Sequence, residues 1–305
     1  MDTMVSPAAD PRPTPADPLP APAKINLRLE VLGKRPDGYH AIRSLAVTVG
    51  LCDRILLEPG PSDQIDLICD HPGLCSPEDN LAIRAARLLQ ERTGVRAGAR
   101  IRLTKSIPIG AGLGGGSSDA AATLAGLDRM WQTRLSVEEL KAIGAEIGSD
   151  VPLFFHAPAA WIEDRGESVR SVRLRWSGSV LLMFADVPVS TAEVYAAWRP
   201  EDRRPSPLDW RERLLDAESA ASLAPLLGND LEAAVLRVCP ALREAYALAG
   251  RVAGRAVCIS GAGSTFFALF DDVESARAAA EQAAPAGLRA VVVGAGEDRS
   301  GGSPA

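Results

Sequence analysis

From Pro108 to Ala122 the chain reads Pro-Ile-Gly-Ala-Gly-Leu-Gly-Gly-Gly-Ser-Ser-Asp-Ala-Ala-Ala, with five glycines in the seven positions Gly110 to Gly116. Ordering so many glycines costs backbone entropy that a plain connection would not require. Without β-carbons, backbone N–H groups can approach phosphate oxygens closely. The helix predicted over Ser117–Trp131, from its alanine content and Ser-Ser-Asp start, adds N-terminal donors and the positive end of its dipole. A polyanion cradle leading into a helix is the expected result.

Gly110, Gly112 and Gly115 also satisfy G-x-G-x-x-G, the dinucleotide-binding fingerprint. That fold needs the helix to run into a second strand ending near an acidic ribose ligand. Here a second helix follows, predicted over Val137–Ile147 behind Ser136, with Glu139 placed for a capping box. No Lys-Ser or Lys-Thr follows the glycines, so the P-loop is excluded, and the H-R-D and D-F-G signatures of protein kinases do not occur.

Around the loop, period-two alternation predicts a half-buried strand over Lys24–Leu32, a turn at Arg35–Gly38, β segments at Leu45–Val49 and Arg54–Glu58, and another at Arg100–Ser106. A helix begins near Pro77–Asn80 and stops at Gly94. Strands are expected between Phe154 and Val172 and at Ser179–Phe184, Ala256–Ser260, Thr265–Phe270 and Leu288–Val293, with helices at Asn229–Ala249 and Val273–Ala283. Mixed order of this kind is α+β. The expected organisation is a disordered extension over 1–20, a nucleotide-binding and catalytic domain over 21–175, a C-terminal α+β domain over 176–296 and a disordered tail over 297–305.

A formal charge of −6 argues against a broad nucleic-acid footprint. No apolar run nears the roughly 18–20 residues that span a bilayer. The first twenty residues lack the basic start and apolar stretch of a secretory signal. A cytoplasmic protein acting on a small molecule is expected, with oligomeric state open. Five cysteines without C-x-x-C spacing suggest neither a disulfide scaffold nor a zinc site, and His71 and His156 form no ligand cluster with them.

The glycine run resembles the phosphate-binding motif of the GHMP kinases, the family of galactokinase, homoserine kinase, mevalonate kinase and phosphomevalonate kinase. Pro22-Ala-Lys-Ile-Asn-Leu27 resembles the family's first motif. Ser260-Gly-Ala-Gly-Ser-Thr265 resembles its third, a supporting glycine loop that would use Gly261, Gly263 and Ser264. Within the family, Gly33-Lys-Arg-Pro-Asp-Gly-Tyr-His40 and Gly148-Ser-Asp-Val-Pro152, leading into Phe154-Phe-His156, are similar to one branch. Its acceptor is a cytidine diphosphate-linked methylerythritol of the non-mevalonate isoprenoid pathway. The resemblance spans about residues 21–296 and is weakest over Pro188–Ser222.

The resemblance implies a two-domain GHMP kinase fold with the glycine-rich phosphate loop in its N-terminal domain. It also implies ATP as phosphoryl donor, with magnesium arriving on the nucleotide rather than in a dedicated metal site. Asp150 would take the acceptor's hydroxyl proton, with Lys24 beside it; on bare sequence these are a turn residue and a solvated lysine. Pro108, Gly110, Gly112, Leu113, Gly114, Gly115 and Gly116 would hold ATP. Ser117 and Ser118 would cap the helix or contact phosphate or magnesium. Lys105 and Asn80 would line the nucleotide pocket, a solvated lysine and an N-cap being the alternatives. Asn26 and His40 would read a cytosine edge and Tyr39 would stack on its face, with Tyr195 either a second stacking partner or core. Asn229-Asp230 reads as a helix cap. Competing readings are a sibling kinase with another acceptor, which Tyr39-His40 disfavours, and a nucleotide binder without turnover, which Lys24, Asp150 and both glycine loops disfavour.

Overall fold

The computed structural model describes residues 17–71, 79–156 and 158–296. Most of the expected N-terminal extension, the expected tail, Cys75 and the Pro77-Glu78 helix start lie outside them. In chain order the elements are β1 (Leu19–Lys34), β2 (His40–Gly60), β3 (Ile65–Cys69), α1 (Leu81–Thr93), β4 (Gly98–Thr104), α2 (Gly115–Trp131), α3 (Val137–Ile147), β5 (Ala159–Asp164), β6 (Ser168–Ser171) and β7 (Ser179–Phe184). Then come α4 (Thr191–Ala197), α5 (Trp210–Asp216), α6 (Ala220–Leu223), β8 (Gly228–Asn229), α7 (Glu232–Val238), α8 (Leu242–Ala253), β9 (Cys258–Ile259), β10 (Thr265–Phe270), α9 (Val273–Glu281) and β11 (Arg289–Gly294).

One sheet runs β3-β4-β2-β1-β8, with β5 paired to β2 and β6 to β5; a four-stranded sheet runs β11-β7-β10-β9. β1 opens at Leu19, inside the segment expected to be disordered. The predicted half-buried strand is buried on both faces, because β-bulges flip its inward face along its length. Ala21, Leu29 and Val31 join one core cluster while Ala23, Ile25 and Leu27 join the other. Register shifts at Pro22/Ala23 and between Asn26 and Arg28 mark the changeovers. Lys24, Asn26 and Arg28 alternate with these apolar residues and are themselves buried.

α2 lies on this sheet at Gly126, where a β-carbon would sit 2.4 Å from Leu57 and 2.5 Å from Leu19. Asn80 caps α1 by accepting from Ala82 N, and Gly94 ends it at φ 69°. Ser136 and Glu139 close the expected capping box on α3. Other expectations are corrected. Phe154 belongs to a 3-10 turn, Pro152–Phe155, rather than a strand. The helix expected over Asn229–Ala249 is two helices parted at Cys239-Pro240, where proline's lack of an N–H prevents continuation. Among the described residues no helix is long and apolar enough to cross a membrane.

Candidate active site

The glycine loop enters α2 through left-handed residues at alternate positions: Gly110 at φ 63°, Gly112 at 76° and Gly114 at 70°. Interleaved with residues of ordinary φ, they form a backbone nest that suits an anion. α2 begins at Gly115, two residues before the predicted start. Its N-cap is Gly114 with no side-chain cap, so Ser117 and Ser118 are not caps but first-turn residues. A β-carbon on Gly112 would lie 2.0 Å from the Ser260 carbonyl oxygen, and one on Gly114 3.0 Å from Phe154 and 3.1 Å from Lys24. Close approach, as well as torsion, requires glycine at these two positions.

The supporting loop grips the first from outside. Ser260 Oγ donates to Gly112 O at 3.0 Å and Thr265 N donates to Ala111 O at 3.2 Å. Asn229 holds the supporting loop in turn, its Nδ2 donating to Ile259 O at 2.9 Å and Gly261 O at 2.7 Å. Asn229 lies in β8, although its Oδ1 also receives Leu231 N just ahead of α7. Asp230, expected as a cap, instead accepts from Val31 N and Arg204 N.

A cleft of about 1090 Å3 runs from this loop past Lys24 and Asp150 to Tyr39, His40 and Tyr195, and Asn80, Lys105, Pro108, Ser117 and Gly261 also line it. Ser118, Gly263 and Ser264 lie behind its wall, Ser264 Oγ donating to Ala185 O at 2.9 Å. Leu113 contributes mainly backbone: its side chain is buried and its carbonyl accepts from Lys24 N at 2.9 Å.

Midway along the cleft, Lys24 Nζ lies 3.8 Å from Asp150 Oδ2 and donates to Asn26 Oδ1 at 2.7 Å. Burial pulls the Lys24 pKa below the ordinary lysine value, and Asp150 opposes that pull. Asp150 sits in the break after α3, where Val151 N returns to Gly148 O at 3.1 Å. Val151 packs where Gly144 lacks a side chain, 2.8 Å from its absent β-carbon. That packing fixes the turn while leaving the carboxylate part-exposed.

Two candidate site residues are held by protein neighbours. Asn26 lines the cleft wall, with Oδ1 accepting from Lys24 Nζ and Nδ2 donating to Ser44 Oγ at 2.8 Å. These contacts use one of its two amide hydrogens and fix it beside Lys24. Lys105 is neither solvated nor free, because its ammonium lies between Asp53 and Asp119, 2.7 Å from the latter. Burial disfavours that ammonium, but Asp119 and Asp53 outweigh it and raise the Lys105 pKa. Asp53 also accepts Ser106 N at 2.6 Å and Ile107 N at 2.8 Å, securing the entrance to the loop. Burial, reinforced by Asp53 and opposed by Lys105, pushes the Asp119 carboxyl up to about 7. Asp53 and Asp119 escaped sequence reasoning. Asp119 is adjacent to the loop and could have been flagged; Asp53, far upstream, carries no local signal.

At the far end, the His40 ring lies 5.3 Å from Tyr195, tilted 31°, and 5.6 Å from Trp198, edge-on at 78°. Burial, then the Lys34 charge, hold the His40 pKa below its ordinary value. Burial, then Asp150, push the Tyr195 phenol up. Tyr39 is 60% exposed, with the Arg165 guanidinium 5.2 Å from its ring centre.

The GHMP kinases N terminal domain matches residues 80–157 and the GHMP kinases C terminal domain matches residues 212–289. A Bacillus velezensis protein named 4-diphosphocytidyl-2-C-methyl-D-erythritol kinase is 41% identical over 249 residues, 82% of this chain and 86% of that protein. A crystal structure of 4-(cytidine 5'-diphospho)-2C-methyl-D-erythritol kinase superposes with a TM-score of 0.79 at 38% identity, covering 92% of this chain and all of that one. Homoserine kinase from Cytophaga hutchinsonii, 16% identical, has a TM-score of 0.65 over 92% of this chain and 95% of its own, a likeness of fold alone.

Proposed function

The chain belongs to the GHMP kinases and is an ATP-dependent phosphotransferase, and on that premise we propose that it phosphorylates the 2-hydroxyl of 4-diphosphocytidyl-2-C-methyl-D-erythritol, in the cytoplasm. The observation that carries this reading is the Lys24–Asp150 pair, 3.8 Å apart between an anion-binding backbone loop and an aromatic pocket. ATP phosphates lie against the N–H groups of the glycine loop and the start of α2. The acceptor's cytidyl end lies against Tyr39, His40 and Tyr195, which brings its hydroxyl to Asp150.

Asp150 takes the hydroxyl proton as the acceptor oxygen bonds to the γ-phosphorus, the bond to the β–γ bridging oxygen breaks, and ADP leaves. Lys24, oriented by Asn26, steadies negative charge on the attacking oxygen. Magnesium fits a donor near the start of α2: Asp119 lines the cleft, and its Oδ1 is a buried oxygen without a hydrogen-bond partner, the hard donor that cation takes. Asp119 would hold it, and when bound it neutralises charge on the ATP phosphates.

The test is ADP release with Mg-ATP and three acceptors offered separately: 4-diphosphocytidyl-2-C-methyl-D-erythritol, mevalonate and homoserine. Turnover is expected with the cytidyl acceptor alone, and Asp150→Asn should lower kcat by about 10²–10⁴-fold. Turnover only with another acceptor would refute the acceptor assignment. ATP binding without transfer to any of the three would refute both the acceptor and the proposed base.

A further inference from the structure

We propose that Trp198 and Arg203 are positioning residues that fix the His40 ring for recognition of the acceptor's cytidyl end, an inference that rests on the acceptor reading above.

His40 opens β2 opposite Lys34, and the register just before it is irregular. Val31 pairs with Ile42 and Gly33 with Ala41, leaving Leu32 as an extra residue in β1. Strand side chains alternate between faces, so a slip of one residue would turn the end of this hairpin over. The bulge therefore decides which way His40 projects. Arg203 secures it from outside: Nε donates to Val31 O at 3.0 Å and Nη2 to Leu32 O, the two carbonyls at the bulge.

The same guanidinium lies 5.6 Å from the Trp198 ring centre, and Trp198 meets His40 edge-on. Trp198 is absent from the cleft lining, and its Nε1 is buried without a hydrogen-bond partner. Its contribution is thus the ring against His40, not a polar contact. The segment between Trp198 and Arg203 is itself anchored. Asp202 accepts Arg199 N at 2.9 Å and Arg237 Nη2 at 2.8 Å, while Arg237 also holds Ala197 O at 2.6 Å. The weakly patterned stretch after β7 thereby connects a helix of the C-terminal half to the ring that faces the acceptor. The depressed His40 pKa agrees with a ring partly withdrawn from water beside the Lys34 charge.

The experiment compares the parent with Trp198→Leu, Trp198→Phe, Arg203→Lys and His40→Ala in full steady-state kinetics for both substrates. NMR titration of the three histidines accompanies it, His40 being assigned by its loss in His40→Ala. Trp198→Leu and Arg203→Lys should raise KM for the cytidyl acceptor about fivefold to tenfold, leave kcat and the KM for ATP near the parent, and move the His40 titration upward. Trp198→Phe, which keeps a ring edge, should stay close to the parent. An unchanged acceptor KM, an ATP KM rising in step with it, or an unmoved His40 titration would each overturn the proposal. If Trp198→Leu fails to fold, Arg203→Lys carries the same test. If His40→Ala itself leaves acceptor KM unchanged, the cytidyl reading fails instead, and the His40 titration in the Trp198 and Arg203 variants then decides the positioning claim alone.

Discussion

The two ends of the cleft are made differently. The end proposed for the nucleotide is contiguous backbone, Gly110 to Ser118, whose left-handed glycines and helix start present N–H groups. The end proposed for the acceptor is side chains from separate elements: Tyr39 and His40 from the β1–β2 hairpin, Asp150 after α3, Arg165 between β5 and β6, and Tyr195 in α4. Backbone recognition can be encoded in one short stretch, since it needs only glycines and a helix behind them. Side-chain recognition needs the whole fold to bring distant residues together.

That contrast can be broken at the nucleotide end by a residue outside its loop. Asp53→Ala removes the acceptor for Ser106 N and Ile107 N and one of two carboxylates around a buried ammonium. It should lower unfolding stability in urea by about 3–5 kcal/mol and raise the KM for ATP. Unaltered stability and ATP KM would mean that the loop stands on local sequence alone. Gly112→Ala meets the Ser260 carbonyl, so about 1–2 kcal/mol for the left-handed backbone is joined by about 1–3 kcal/mol of overlap. Gly110→Ala, with open space around it, should lose only about 1–2 kcal/mol. Equal losses for the two in urea unfolding would show that torsion, not the embrace of the second loop, sets the requirement for glycine.

At the acceptor end, His40→Ala should raise acceptor KM about tenfold to hundredfold while sparing the KM for ATP; parallel changes would join what the comparison separates. The smallest effect lies where the ends meet. Because the folded chain holds Lys24 below the ordinary lysine pKa, the unfolded chain binds more proton between the two values, and Lys24 adds stability as pH rises through that window. Asp150→Asn removes the opposing charge, so NMR should find the Lys24 titration shifted further down. No shift would mean that the two groups do not interact.

Legibility in the sequence followed the same division. Gly94, the Ser136–Glu139 box and the glycine loop are local devices, and each stands where the residue pattern placed it. α2 was expected two residues late because a left-handed glycine, not a serine, ends the loop. β1 was misjudged as half-buried because its bulges, invisible in an alternating pattern, exchange its faces. α4, of seven residues, is too short to show helical period. The Asp53–Lys105–Asp119 cluster joins residues 52 and 14 positions apart, and Lys105 alone read as a solvated charge or a nucleotide contact.

The hydroxyl that holds Gly112 belongs to a residue 148 positions later in the chain. On the ribosome, at about 5–20 residues per second, the phosphate loop therefore emerges about 7–30 seconds before its clasp exists. Throughout that interval the nascent chain carries the glycine loop without the hydroxyl that clasps it, and the clasp exists only once 260 of the 305 residues have been translated.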